Sequence, residues 1–225
     1  MIMNRKLYMV SLGPGDIELL TLKACRAFRE CDAICVPTKS EGSFDKSISY
    51  KIVTEALEFL GIQRELIAVY SPMVFDEEDW ESEARVIIDS SKNHSKVCFV
   101  TLGDAGVYSS IYYLLDIIKR EDIELYNSSE VIAGVTSFSA SSAIIKKALC
   151  LGDESLVIRP INPRGEVKTT EILMRPKIGM DTTSLGEGEF YTFENLYMPY
   201  EKISPFRIDR VKRYMTIFIN FAFRG

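Results

Sequence analysis

The chain has 225 residues, enough for one large domain or two small ones, and its 47% hydrophobic content can fill a core in either arrangement. A formal charge of -5, from 27 Lys and Arg against 32 Asp and Glu, leaves no basic footprint for sequence-independent phosphate binding, so nucleic acid is not an expected partner. No run approaches the roughly 18 uninterrupted apolar residues of a membrane helix, the first residues do not read as a secretion signal, and the five cysteines show neither CxxC nor another zinc-ligand spacing. The expectation is a cytoplasmic protein with buried free thiols, no metal and no membrane partner.

The apolar run at 6–12 stops at Gly13-Pro-Gly-Asp16, which predicts a buried strand ending in a tight loop. Thr21 can cap the following helix, in which Leu22, Cys25 and Phe28 recur at helical spacing. A short strand is expected at 33–37. From 47 to 60, the positions Ile48, Ile52, Val53, Ala56, Leu57 and Leu60 keep a 3.6-residue period, and Gly61 stands where a left-handed C-cap belongs. A strand at 66–70 and a helix at 77–92, with Trp80, Ala84, Ile87 and Ile88 inward, come next. Residues 97–102 are apolar throughout, as expected of a parallel strand covered on both faces.

A helix with Ile111, Leu114, Leu115 and Ile118 inside follows, beginning near Val107. After it come a strand at 131–132 and a small-residue helix over 137–149. This alternation indicates an α/β fold with a mostly parallel sheet over residues 1–152, whose ligands bind at the carboxyl ends of the strands. Residues 153–225 read as a second, smaller mixed α/β domain. In it, 156–158 is strand-like, 162–188 is rich in turn and charged residues, and Met215, Ile217, Ile219, Phe221 and Phe223 share one face of a final strand, with Thr216 and Asn220 on the other.

Three loops stand directly after predicted strands: Gly13-Pro14-Gly15-Asp16, Gly103-Asp104-Ala-Gly106-Val107-Tyr108-Ser109, and Ala133-Gly134-Val135-Thr136-Ser137. Glycine lets backbone approach a ligand closely, and the strand ends place all three at one edge of the sheet. None is GxGxxG or GxxxxGK[ST], so neither a dinucleotide nor a P-loop is indicated. Asp104 reads either as a ligand for a cationic group or as a cap of the helix near Val107; Asp16 reads either as a cleft residue or as the acceptor of an Asx turn. Tyr108 reads as a ligand contact or as core packing. His94, the single histidine, is expected in a solvent-exposed loop, which leaves a serine-histidine triad without a base.

Taken together, Ser11-Leu-Gly-Pro-Gly-Asp16, Thr101-Leu-Gly-Asp104 and Ala133-Gly-Val-Thr-Ser137 resemble the loops of the tetrapyrrole methylase family. The segments 36–42 and 100–109 are similar to the precorrin-2 or cobalt-factor II C20-methyltransferase branch. The resemblance covers residues 6–158 and resumes weakly at 177–181 and in the final strand. It implies a two-domain tetrapyrrole methylase-like fold with a cleft between the domains, usually in a homodimer, which methylates a tetrapyrrole of cobalamin biosynthesis with S-adenosyl-L-methionine as methyl donor.

Carried over position by position, it implies cofactor contacts at Pro14, Leu102, Gly103, Asp104, Val107, Thr136, Ser137 and Gly179, with backbone groups of Leu102, Gly103 and Val107 among them. Asp16, Lys39 and Tyr108 are candidates for the substrate, and Lys39, Arg159 and Arg164 for its carboxylates. No residue is singled out as catalytic. The second domain is shortened relative to the family. Alternative expectations are methylation of another tetrapyrrole position, of a modified histidine or of ribosomal RNA on the same fold, or a protein that binds cofactor or tetrapyrrole without catalysis.

Overall fold

The computed structural model describes residues 5–72, 76–161, 163 and 165–222. Two compact units divide at Leu156 and Val157. In the first, β1 (Lys6–Ser11), α1 (Leu22–Glu30), β2 (Ala33–Thr38), α2 (Ile48–Leu60), β3 (Glu65–Tyr70), α3 (Glu77–Asn93), β4 (Lys96–Thr101), α4 (Ile111–Glu121), α5 (Ile123–Asn127), β5 (Ser129–Ile132) and α6 (Ser137–Ile145) follow in order. The five strands are all parallel, ordered β3-β2-β4-β1-β5.

Local chemistry sets the helix ends. Thr21 and Ser47 accept the N–H groups of Ala24 and Tyr50 at 3.1 Å each, and Gly61 ends α2 at φ 65. Each sheet face has its own core. Phe28 of α1, with Ile52, Val53 and Ala56 of α2, packs with Val10, Ile34 and Val100. Ala84 and Ile87 of α3 and Ile111, Leu114 and Ile118 of α4 pack with Met9, Cys35 and Phe99. Burial on both faces explains why β1 and β4 are apolar throughout rather than alternating. No helix among the described residues is long and apolar enough to cross a membrane.

Several expectations are corrected. α4 begins at Ile111, not near Val107, and α6 stops at Ile145 rather than continuing to 149, because Lys146 turns left-handed at φ 54. Serine hydroxyls offer α6 other partners: Ser141 Oγ donates to Ser137 O at 2.9 Å and Ser142 Oγ to Lys147 O. Leu156, Val157 and Ile158 form no strand; they are 45%, 72% and 45% exposed, and none of the described strands pairs with them. His94 is not free in a loop: it caps α3, with Nδ1 3.0 Å from Ser90 O and Nε2 3.1 Å from Glu65 Oε2.

The second unit holds β6 (Glu171–Leu173), β7 (Glu189–Glu194), β8 (Lys202–Ser204) and β9 (Thr216–Phe221), ordered β6-β9-β7-β8 and entirely antiparallel. Its described residues carry one 3-10 turn, Thr183–Leu185, and no α-helix, where a mixed α/β domain was expected. The short β7 to β8 connection admits a hairpin but not a parallel crossover, which needs a dozen or so residues. The final strand buries Thr216 and Phe218 against Phe190, Thr192 and Glu194. Its richer apolar face, Ile217, Ile219 and Phe221, is only half-buried, because register on β7 selects the burial, not composition. Met215 lies before the strand, and Asn162, Arg164 and Phe223 fall outside the described residues.

Candidate functional site

From β1 the chain crosses toward β2 on one side of the sheet, and from β4 it crosses toward β5 on the other. Adjacent strands whose connections part in this way open a crevice at their carboxyl ends. The strand order therefore puts the crevice between β1 and β4, with β5 on the far side of β1. Register brings the exits level: Ser11 pairs with Thr101, and Val10 with Ile132. The three glycine-bearing loops emerge from these three neighbouring strands.

They are tied to one another. Gly13 N–H donates to Gly103 O at 3.0 Å and Gly103 N–H to Gly13 O at 2.8 Å. Ser11 Oγ accepts Ala105 N–H at 2.9 Å. Asp104 Oδ1 accepts Gly134 N–H at 3.1 Å and, more weakly, Gly106 N–H at 3.4 Å. A side chain on Gly134 would meet Ser11 Cβ at 2.5 Å, so only glycine allows β5 to leave the sheet this close to β1. Gly103 at φ +78 has nothing within 4 Å of where a Cβ would stand; its glycine meets a conformational need and leaves space over the loop.

Within this cluster Asp104 caps no helix, since α4 starts seven residues later; its carboxylate clasps the β4 loop to the β5 loop. Gly103 and Val107 have already committed their N–H groups, to Gly13 O and, at 3.1 Å, to Asp104 O, so they present no free amide to a ligand. Leu102 is 43% exposed and Tyr108 71% exposed. Tyr108 also holds φ 51, a conformation costly for a tyrosine, while Val107 before it and Ser109 after it are anchored, the latter with Oγ 3.2 Å from Thr101 Oγ1. The result is an aromatic ring displayed in solvent, not the core residue that was the alternative.

Thr136 caps α6, its Oγ1 accepting Ser139 N–H at 3.4 Å, and Ser137 is exposed at the first position of that helix. Pro14 is half-buried. Asp16 does what an Asx residue does: it caps the 3-10 turn Ile17–Leu19, accepting Glu18 N–H at 2.9 Å. Lys39 is exposed just after β2, on the other side of β4 from β1, and is no member of the cluster. Gly179 and Arg159 belong to the second unit, where Gly179 holds φ 84 and donates its N–H to Val211 O at 2.8 Å.

Ser11 and Gly134 carry the loop cluster without having been assigned a role from sequence. The available signal was a small polar residue at the last position of a buried strand and a glycine two residues after another. Glu83 on α3 also escaped notice: it is 3% exposed, and its Oε2 has no hydrogen-bond partner among the described residues. Burial, reinforced by Asp79 and opposed by a hydrogen bond from Ser71, pushes its carboxyl up to about 7.

The family model of tetrapyrrole (corrin/porphyrin) methylases matches residues 6–184. A Methanocaldococcus jannaschii protein named "probable cobalt-precorrin-2 C(20)-methyltransferase" is 33% identical over 160 residues, 69% of this chain and 64% of that one. The cobalt-precorrin-2 C(20)-methyltransferase of Salmonella typhimurium is 33% identical over 170 residues, 73% of this chain and 68% of that one. The chain thus spans about two thirds of the length of these relatives. Among solved structures, the uroporphyrin-III C-methyltransferase of Thermus thermophilus matches with TM-score 0.50 and 19% identity, covering 97% of this chain and 92% of that one. A cobalt precorrin-4 methyltransferase matches with TM-score 0.50 and 18% identity, covering 96% and 94%. At these identities the structural likeness speaks for the fold.

Proposed function

Because the chain belongs to the tetrapyrrole methylase family, we propose that it transfers a methyl group from S-adenosyl-L-methionine to C20 of precorrin-2 or cobalt-factor II in cobalamin biosynthesis. The observation that carries this reading is the tied cluster of three loops at the crevice between β1 and β4, in a chain 33% identical to two proteins named for that reaction.

The residues present fit the donor. Open space above Gly103 and the exposed side chains of Leu102 and Tyr108 offer an apolar, backbone-lined bed. The Asp104 carboxylate adds negative charge next to it, which favours a cationic ligand. Pro14, Val107, Thr136 and Ser137 complete the proposed contacts. When bound, S-adenosyl-L-methionine supplies a methyl group already activated on a sulfonium. The protein's share is then alignment and exclusion of water, worth several kcal/mol without a nucleophilic side chain. The ties between loops serve that purpose, since a bed fixed by four hydrogen bonds need not be ordered when the ligand arrives.

Tyr108 displays its ring for the macrocycle, and Lys39 after β2 meets one of its carboxylates. Asp16 borders the same edge. A cytoplasmic location, expected from the sequence pattern, and a homodimer, implied by the family resemblance, belong to this reading; light scattering on the purified chain checks the second.

Turnover of precorrin-2 and of cobalt-factor II, followed by mass and by NMR of the methylated position, tests the proposal and distinguishes the metal-free from the cobalt substrate. Methylation at another position would move the assignment within the family. Tight S-adenosyl-L-methionine binding with no product from any tetrapyrrole would make the chain a binding protein.

A further inference from the structure

Three of the five cysteines, Cys31, Cys35 and Cys98, are buried in the first unit, and two of them meet at the amino-terminal edge of the sheet, the edge opposite the loop cluster. Cys31 is the C-cap of α1, and Cys98 is the third residue of the central strand β4. Cys31 Sγ lies 3.6 Å from Phe28 O and Cys98 Sγ 3.7 Å from Ala27 O, so consecutive carbonyls of the last turn of α1 hold the two sulfurs side by side.

Arg64 completes the arrangement. Its Nε donates to Phe28 O at 3.0 Å, the same carbonyl that Cys31 uses, and another of its nitrogens donates to Arg29 O at 2.5 Å. The hydrogen bond with Cys98, outweighing burial, and the Arg64 guanidinium hold the Cys31 thiol below its ordinary range, against a smaller opposing effect of Asp32. Burial and the bond to Cys31 push the Cys98 thiol up. Cys31 and Arg64 line an open depression of about 600 Å³ together with Glu30, Asp32 and Gln63, so solvent reaches the rim of a pair that is itself almost covered. One thiol favoured as thiolate, next to a second that can resolve it, is the arrangement found in oxidisable cysteine pairs. Methyl transfer uses neither.

We propose that Cys31 and Cys98 form a thiol modification site that reacts with hydrogen peroxide and closes to an intramolecular disulfide. The Cys31 thiolate attacks one peroxide oxygen; the O–O bond breaks, a sulfenic acid forms on Cys31, and the departing hydroxide takes up the proton that Cys31 lost. Cys98 sulfur then attacks the Cys31 sulfur, an S–S bond forms, and the sulfenic oxygen leaves as water with the Cys98 proton. Two thiols are oxidised by two electrons in all, and the peroxide is reduced to two waters. The bond ties the end of α1 to the central strand and leaves the loops at the other edge untouched.

The test uses the full chain with Cys150→Ser, which removes the exposed cysteine and leaves four of the five. Folded protein is treated with hydrogen peroxide, denatured, alkylated and weighed intact, and its peptides are mapped. The expected result is a fall from four alkylated cysteines to two, with the cross-linked peptide joining Cys31 to Cys98, reversed by a dithiol reductant. Cys35→Ala should leave the cross-link in place, with the alkylated count falling from three to one, and Cys98→Ser should abolish the cross-link. Four cysteines still alkylated after peroxide, oxygen addition to Cys31 without a cross-link, or a cross-link through Cys25 or Cys35 would each overturn the proposal. The peptide map of the parent protein decides even where a substituted chain does not fold.

Discussion

Replacing Gly134 by alanine places a methyl group at the tightest point of the loop cluster. The new Cβ would stand 2.5 Å from Ser11 Cβ and 3.0 Å from Gly103 O, where ordinary contact starts near 3.4 Å. Neither neighbour is the free tip of a long side chain. Ser11 ends β1 and holds Ala105 N–H through its hydroxyl, and Gly103 O holds Gly13 N–H. Relief of 0.9 Å, the difference between the two separations, must come from pushing the β5 exit away from β1. Overpacking of this kind costs roughly 1–3 kcal/mol, and stretching the bond from Gly134 N–H to Asp104 adds about 1 kcal/mol. The same movement misplaces the bed proposed for S-adenosyl-L-methionine, and every 1.4 kcal/mol lost there weakens binding about tenfold. Urea denaturation and calorimetry with S-adenosylhomocysteine measure the two effects, with Gly165→Ala as control because its Cβ would meet nothing within 4 Å. If Gly134→Ala is as stable as the parent and binds the ligand equally well, the three loops do not form one constrained site.

Three further outcomes follow from the geometry. Glu83, raised from 4.5 to about 7, binds more protons folded than unfolded between those values. Stability therefore falls as pH rises through that interval, by roughly 3 kcal/mol in total. Glu83→Gln should remove this loss, so urea midpoints of the two chains should diverge between pH 5 and pH 8; parallel curves refute it. Tyr108→Gly releases the left-handed strain and should change stability by no more than about 1 kcal/mol, while tetrapyrrole affinity drops; unchanged affinity in a titration removes Tyr108 from the site. Asp122 accepts both Arg5 guanidinium nitrogens, at 2.6 and 2.8 Å, and caps α5 through Leu125 N–H at 3.0 Å. Asp122→Ala should cost about 2–3 kcal/mol by chemical denaturation. The Arg5 hydrogen bond holds that carboxyl below the usual range, so its contribution is present above the ordinary carboxylate pKa and fades as pH falls through the lowered one.

Much of the first unit was legible in the sequence because its signals are local. Thr21 and Ser47 cap where a side-chain oxygen precedes an apolar period, Gly61 turns left-handed after one, and the unbroken apolar runs of β1 and β4 report burial on both faces. The second unit was less readable. Its strands are short, its sheet is antiparallel, and the apolar face of β9 is not the buried one, because partner register on β7 decides which side is covered.

The sequence by itself determined that three glycine-bearing loops follow strands of an α/β protein, since strand ends and glycines are written in adjacent residues. Only the tertiary structure decided what those loops do to one another. Whether Asp104 caps a helix or clasps a loop depends on Gly134, thirty positions away, and whether Gly103 offers its amide or spends it depends on Gly13. Those partners are set by the order in which strands join the sheet. Hydrogen bonds between the ends of neighbouring parallel strands leave no periodic trace in the chain that makes them.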